Sequence, residues 1–254
     1  MAFVKGVAIL AAALSLILLM SYWAAGRARL PLDAEARSAL LSEGLAHSFI
    51  GLPDGTVHYR LEGPEAAPTV VLVHGFSVPS FVWNDYIAPL TDAGYRVLAY
   101  DIYGRGYSDR PDTTYDAELM DRQLAGLLAA LKIDRRVDLV GYSMGGALAT
   151  IFTARHPELV RSLTLIAPAG LGVAVNERVE ILKKPLIGDW IIRLFGTRLF
   201  YSAASDAMQY APNPGSFLAD FSRQLDYRGF GDALLSTLRH YPLTGADASF
   251  AKVG

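Results

Sequence analysis

Gly141-Tyr142-Ser143-Met144-Gly145-Gly146 has the form G-x-S-x-G. A serine hydroxyl is a poor nucleophile until a sharp turn presents it and a base takes its proton. The run Val137-Asp138-Leu139-Val140 before the motif reads as a strand, and Gly145 to Arg155 after it reads as a helix. That spacing predicts a strand–turn–helix with Ser143 at the turn, placed to attack an acyl carbon. Gly141 and Gly145 are then expected where strand and helix approach too closely for a side chain.

A second cluster, His74-Gly75-Phe76, ends the apolar run Thr69 to Val73. Acyl transfer builds negative charge on a carbonyl oxygen, and fixed N–H donors must receive it. The backbone N–H of Met144, beside the serine, is one such donor, and that of Phe76 is the other. His74 precedes Ser143, whereas the chain order in this motif is serine, acid, histidine. It is therefore assigned, with Gly75, to supporting the loop.

Beyond Ser143 the chain carries only His156 and His240. Each closes a helical pattern, where a cation complements the helix dipole. Ala167-Pro168-Ala169-Gly170, after the strand Leu163 to Ile166, holds no carboxylate. The acid and base are thus expected beyond Gly254, in a chain truncated before its last strands. The competing expectation is a non-catalytic binding protein or an inactive fragment.

The elements that must position these residues alternate. Phe49 to Leu52 and Thr56 to Leu61 flank Pro53-Asp54-Gly55 as a hairpin. Thr69 to Val73 is a continuous run, β-branched at every position but Leu72, and fits a strand buried on both faces. Helix-like Trp83 to Leu90, strand-like Tyr95 to Tyr100 and amphipathic Asp116 to Leu131 follow, the last with Met120, Leu124, Leu127, Leu128 and Leu131 on one face. The repeated pattern predicts a doubly wound, mostly parallel α/β sheet. Gly172 to Thr244 shows no strand, but helical segments at Ile181 to Phe200 and Ala233 to Arg239. In the first, Leu182, Leu186, Trp190, Leu194 and Leu199 are expected to line one side. The organisation expected is a membrane anchor and flank at 1–30, a core at 46–171, a helical cap at 172–245, and a return to the core at 246–254.

The anchor rests on Gly6 to Gly26, which holds no charged residue. As a helix it spans roughly 30 Å, the thickness of a bilayer core. Tyr22 and Trp23 stand near its end, where interfacial aromatics are expected. A single-pass anchor is preferred to a cleaved signal peptide because the apolar stretch is long; cleavage near Ala24-Ala25-Gly26 would instead leave a secreted or periplasmic protein. Lys5 on one side and Arg27 and Arg29 on the other leave the orientation unassigned. The mean hydropathy of +0.27 reflects this segment in part.

Composition narrows the partners. The 254 residues suffice for one large domain, and 23 Lys and Arg against 25 Asp and Glu give a net charge of -2. No basic field is present to recruit nucleic acid. Without cysteine there are no disulfides and no thiolate ligands. No ligand cluster calls for a metal or an organic cofactor.

Three ordered motifs carry a resemblance: His74-Gly75-Phe76, Asp101-Ile102-Tyr103-Gly104-Arg105-Gly106-Tyr107-Ser108, and Gly141 to Gly146. Over Thr69 to Gly170 the chain resembles the α/β-hydrolase superfamily of esterases, lipases and C–C bond hydrolases. With its anchor it resembles membrane-bound monoacylglycerol lipases. The resemblance implies Ser143 as nucleophile, Phe76 and Met144 N–H groups as oxyanion hole, and a structural role for the loop beginning at Asp101. It implies ester hydrolysis of the carboxylesterase or lipase kind, C–C bond hydrolysis and perhydrolysis being the alternatives; the apolar cap and the anchor together favour hydrophobic acyl substrates. Serine at the elbow argues against the dehalogenases and epoxide hydrolases, which resemble this fold but attack through a carboxylate.

Overall fold

The computed structural model describes residues 2–27, 29–42, 47–172, 177–208 and 214–254. Six strands form one sheet: β1 (Ser48–Leu52), β2 (Gly55–Glu62), β3 (Thr69–Val73), β4 (Arg96–Tyr100), β5 (Val137–Tyr142) and β6 (Val160–Ile166). Their order is β1-β2-β4-β3-β5-β6, with β1, β2 and β4 antiparallel and β4, β3, β5 and β6 parallel.

The two-residue period of the strands divides the core between the two faces. Val71, Val73, Leu98, Tyr100, Val137 and Leu139 pack with the helices α4 (Ala117–Ala130) and α5 (Met144–Arg155). Val70, Leu72, Val97 and Ala99 pack on the other side against Trp83 and Ile87. These come from a 3₁₀ turn (Ser80–Trp83) and from α3 (Asn84–Asp92), so the helix-like stretch read at Trp83 to Leu90 is two elements. In α4 the predicted stripe is buried from Met120 to Leu128, and the Asp116 side chain caps its start by accepting from the Leu119 N–H at 2.9 Å.

After β6 the described chain is helical, as α6 (Glu177–Lys183), α7 (Ile187–Met208), α8 (Pro214–Leu225), α9 (Phe230–His240) and α10 (Asp247–Val253). The segment read as one helix from Ile181 to Phe200 is broken. Pro185 cannot continue α6, and Leu186 turns with φ 65° and stands 77% exposed instead of lining a buried face. Residues 173–176 and 209–213 of the expected cap lie outside the described residues. Phe221, Leu225, Phe230 and Leu234 from α8 and α9 pack with Phe76, Val78 and Phe81, so these helices rest on the loop after β3. In α10, Phe250 reaches the main core; just before it the Ala246 N–H donates to Gly170 O at 3.0 Å, and the Gly170 N–H donates to Leu243 O at 2.9 Å.

At the other end, α1 (Ala2–Arg27) contains one stretch, Phe3–Gly26, long and apolar enough to cross a membrane. Its last turns lie on α7, with Tyr22 stacked on Trp190 at 5.6 Å and the Arg193 guanidinium 4.4 Å from the Tyr22 ring centre. A short α2 (Ala34–Ser42) follows, started by Asp33, whose carboxylate accepts from the Ala36 N–H. Replacing the α4 cap, Asp116→Ala, is expected to cost about 1 kcal/mol of unfolding free energy. Urea unfolding checks this; an unchanged midpoint would show that the cap contributes nothing.

Candidate active site

Ser143 joins β5 to α5 with φ 53° and ψ -120°, a sparsely populated conformation for a residue with a side chain. Such a conformation costs on the order of 1–3 kcal/mol and persists only where its surroundings over-determine it. Here they do. The Ser143 N–H donates to Ile166 O at 3.0 Å, and the Ser143 carbonyl accepts from Gly146 and Ala169 N–H groups, each at 2.9 Å. The loop after β6, which supplies no acid, thus closes over the elbow with its backbone.

The glycines mark where backbones touch. A Cβ on Gly141 would lie 2.4 Å from Gly145 O, and one on Gly145 would lie 2.3 Å from Val73 O. No side chain fits at either contact. The same packing draws β3 toward the elbow. Gly75 is its next backbone, since a Cβ there would be 3.5 Å from the Ser143 Cβ. Met144 is fully buried at the first position of α5, and Phe76 is half-buried between the sheet core and the helices above it. Ser143, Met144, Gly75 and Phe76 are therefore brought to one place.

Both ring nitrogens of His74 are occupied by backbone. Its Nδ1–H donates to Gly75 O at 2.9 Å, and its Nε2 accepts from the Ile102 N–H at 2.9 Å. Complete burial lowers its pKa to about 4, so the ring is neutral at pH 7. The other four histidines are also committed elsewhere. His156 caps α5, lies tilted against the Phe152 ring and contacts Asp121 at 3.2 Å, while His240 contacts Ser236 O at 2.9 Å. His58 contacts Asp101 and His47, each at 2.7 Å. Among the described residues none of these rings makes a hydrogen bond to Ser143.

Two features of the loop after β4 were not visible as such in the sequence. Asp101 is buried and accepts from the Ser80 and Tyr107 N–H groups as well as from His58. Burial opposes its charge, but these partners prevail and hold its pKa below the usual carboxylate range. The antiparallel register of β2 with β4 sets Tyr59 opposite Tyr100, which brings His58 to Asp101. Pattern alone could have found that pair only once β2 was known to lie beside β4.

Arg105 is the second feature, with no exposed surface. Its Nε donates to Phe76 O at 2.9 Å, one Nη to Tyr103 O at 3.0 Å and the other to Thr237 Oγ1 at 2.9 Å. Burial lowers the guanidinium pKa to about 9, which leaves it charged at neutral pH. Arg105 thus fixes the Phe76 carbonyl to the loop after β4 and to α9 together. The Phe76 N–H lies in the preceding planar peptide, whose carbonyl, Gly75 O, is the one that His74 holds.

A family model described as alpha/beta hydrolase fold matches residues 68–199. The chain is 38% identical over 143 residues to the 2-hydroxy-6-oxo-6-phenylhexa-2,4-dienoate hydrolase of Comamonas testosteroni, covering 53% of this chain and 49% of that protein. The chain spans about half the length of the curated relatives it matches. Among solved structures, the enol-lactonase from Burkholderia xenovorans LB400 superposes with a TM-score of 0.68 at 22% identity, over 82% of this chain and 78% of that one. A structure described as a membrane phospholipase A, a bacterial virulence factor, superposes with a TM-score of 0.63 at 24% identity, over 99% of this chain and 78% of that one.

His74 gives the site a pH signature. Its folded pKa of about 4 lies below the ordinary 6.5, so between these values the unfolded chain binds the extra proton. Its contribution to stability is full above pH 6.5 and is lost as pH falls to about 4, on the order of 3 kcal/mol. Urea midpoints measured across that window should fall for the wild type. His74→Asn, though less stable at pH 7, should show a smaller decline; equal slopes would remove His74 as the cause.

Proposed function

The chain belongs to the α/β-hydrolase fold family, and from that premise we propose that it is a serine hydrolase of carboxylic esters with hydrophobic acyl chains. The observation that carries the reading is the strained Ser143 elbow facing the Phe76 loop. In the proposed reaction the Ser143 hydroxyl attacks the ester carbonyl and loses its proton to a base. The tetrahedral oxyanion takes hydrogen bonds from the Met144 and Phe76 N–H groups. Loss of the alcohol leaves an acyl-serine, which water hydrolyses to release the acid. His74 and Gly75 act as supports, since the His74 ring has both nitrogens occupied by backbone.

The preference for hydrophobic substrates comes from position. The helices over the Phe76 loop include α7, which holds the end of the apolar α1. If α1 is a membrane anchor, the mouth of the site stands close to the bilayer surface. The likeness to a membrane phospholipase A over 99% of the chain supports that placement at the level of fold. A second reading, hydrolysis of a C–C bond next to a vinylogous carbonyl, is favoured by the similarity to oxo-dienoate hydrolases such as the 38% identical one.

The test uses the protein expressed from its own gene. A fluorophosphonate probe should label the wild type and leave Ser143→Ala unlabelled; equal labelling of both would sink the assignment. A panel of p-nitrophenyl esters set against a vinylogous 1,5-diketone separates the two readings. Turnover of esters, rising with acyl length, is expected; cleavage of the diketone alone would transfer the assignment to C–C hydrolysis.

A further inference from the structure

Where α1 meets α7, four guanidinium groups gather around a cavity that has no part in the Ser143 site. The cavity, of about 280 Å³, opens beside Ala25 and Gly26 and is lined by Arg29, Arg110, Arg193 and Arg228 together with Asp232. A shallower extension along Arg29 and Arg193 passes Asp226. Four arginines against Asp226 and Asp232 give the lining a formal surplus of two positive charges, with Asp101 and Asp109 acting on Arg110 from outside it. Asp226 and Asp232 are exposed, and among the described residues no carboxylate makes an ion pair with any of the four arginines.

These are fixed groups. Arg29 donates to Leu225 O and to Thr197 Oγ1, each at 2.6 Å, and Arg228 donates to Arg29 O at 2.7 Å. Arg110 donates through both Nη atoms to Ser108 O and Gly106 O, and its buried Nε has no partner. Arg193 lies over Tyr22 and so close to α1 that a Cβ on Gly26 would meet its guanidinium at 2.7 Å. Like charges drawn together in a half-buried cavity repel, and burial also lowers the Arg29 pKa. An anion with several acceptor oxygens would relieve both effects, since guanidinium forks match phosphate oxygens.

The position of the cavity along α1 bears on the source of that anion. It lies at the last turn of the apolar stretch Phe3–Gly26, beside the stacked Tyr22 and Trp190 rings. Amphipathic rings of this kind mark the headgroup level of a bilayer. We propose that the cavity binds a phosphate ester, presented by the headgroup of an anionic phospholipid that flanks α1. The proposal rests on the reading of α1 as a membrane span and is independent of the chemistry at Ser143.

The test takes the protein expressed from its own gene, purified in a neutral detergent in the Ser143→Ala background so that no lipid is hydrolysed. Dihexanoyl phosphatidylglycerol, inorganic phosphate and uncharged dihexanoylglycerol are titrated separately by calorimetry. Phosphatidylglycerol should bind at one saturable site. Arg193→Gln and Arg228→Gln should each weaken it about tenfold or more, and Arg198→Gln, on an exposed part of α7, should not. Competition by inorganic phosphate would show that the phosphate group suffices; its failure to compete would assign the lipid as the required source. Equal binding of dihexanoylglycerol, or wild-type affinity in both cavity variants, would overturn the proposal. Thermal melting without ligand identifies which variants keep the native fold. Failure of Ser143 labelling, by contrast, would leave this result untouched.

Discussion

The contact between backbones at Gly141, Gly145 and Val73 is the constraint on which the arrangement depends. It lets β3, β5 and α5 approach to distances that no Cβ would permit. That approach turns the chain so sharply that Ser143 must take a positive φ. The strain is local, of the order of the few kcal/mol that a single buried hydrophobic side chain contributes. A core in which Val71, Val73, Leu139, Ala147 and Leu148 are wholly buried can hold it. The serine is presented because its neighbours leave it no other conformation.

The opposing wall of the site is held by electrostatics. The segment after β3 has little regular structure before its 3₁₀ turn, yet its carbonyls are assigned. Gly75 O is taken by His74, Phe76 O by Arg105 and Ser77 O by Gln224. A buried arginine and a neutral buried histidine do different work. Arg105 ties the loop outward to α9 through Thr237, whereas His74 ties it to the loop after β4 at Ile102. The loop that would receive an oxyanion is thereby fixed before any substrate arrives, as preorganised stabilisation demands.

Much of this was legible in the sequence, and what was missed has definite causes. The strand Thr69 to Val73 and the strand-to-helix turn at Ser143 announce themselves through β-branched runs and glycine spacing, both local properties. The role of Arg105 does not. Its three hydrogen bonds reach residues 29, 2 and 132 positions away, and no periodicity encodes such a set. The His58–Asp101 pair is likewise a consequence of strand register. The break at Pro185 was legible in principle, since proline ends a helix, but the spacing of Leu182, Leu186 and Trp190 imitates one continuous face. The Arg29, Arg110, Arg193 and Arg228 cluster is dispersed over some two hundred positions and vanishes in a net charge of -2.

The central claim is that the elbow and the Phe76 loop together form a nucleophile facing an oxyanion hole. The most direct measurement is a crystal structure of the protein, expressed from its own gene, after reaction with diethyl p-nitrophenyl phosphate. The account predicts a phosphorus bonded to Ser143 Oγ, with its phosphoryl oxygen within about 3 Å of both the Phe76 and Met144 N–H nitrogens. A phosphoryl oxygen turned away from those two donors, or an adduct on another residue, would contradict it.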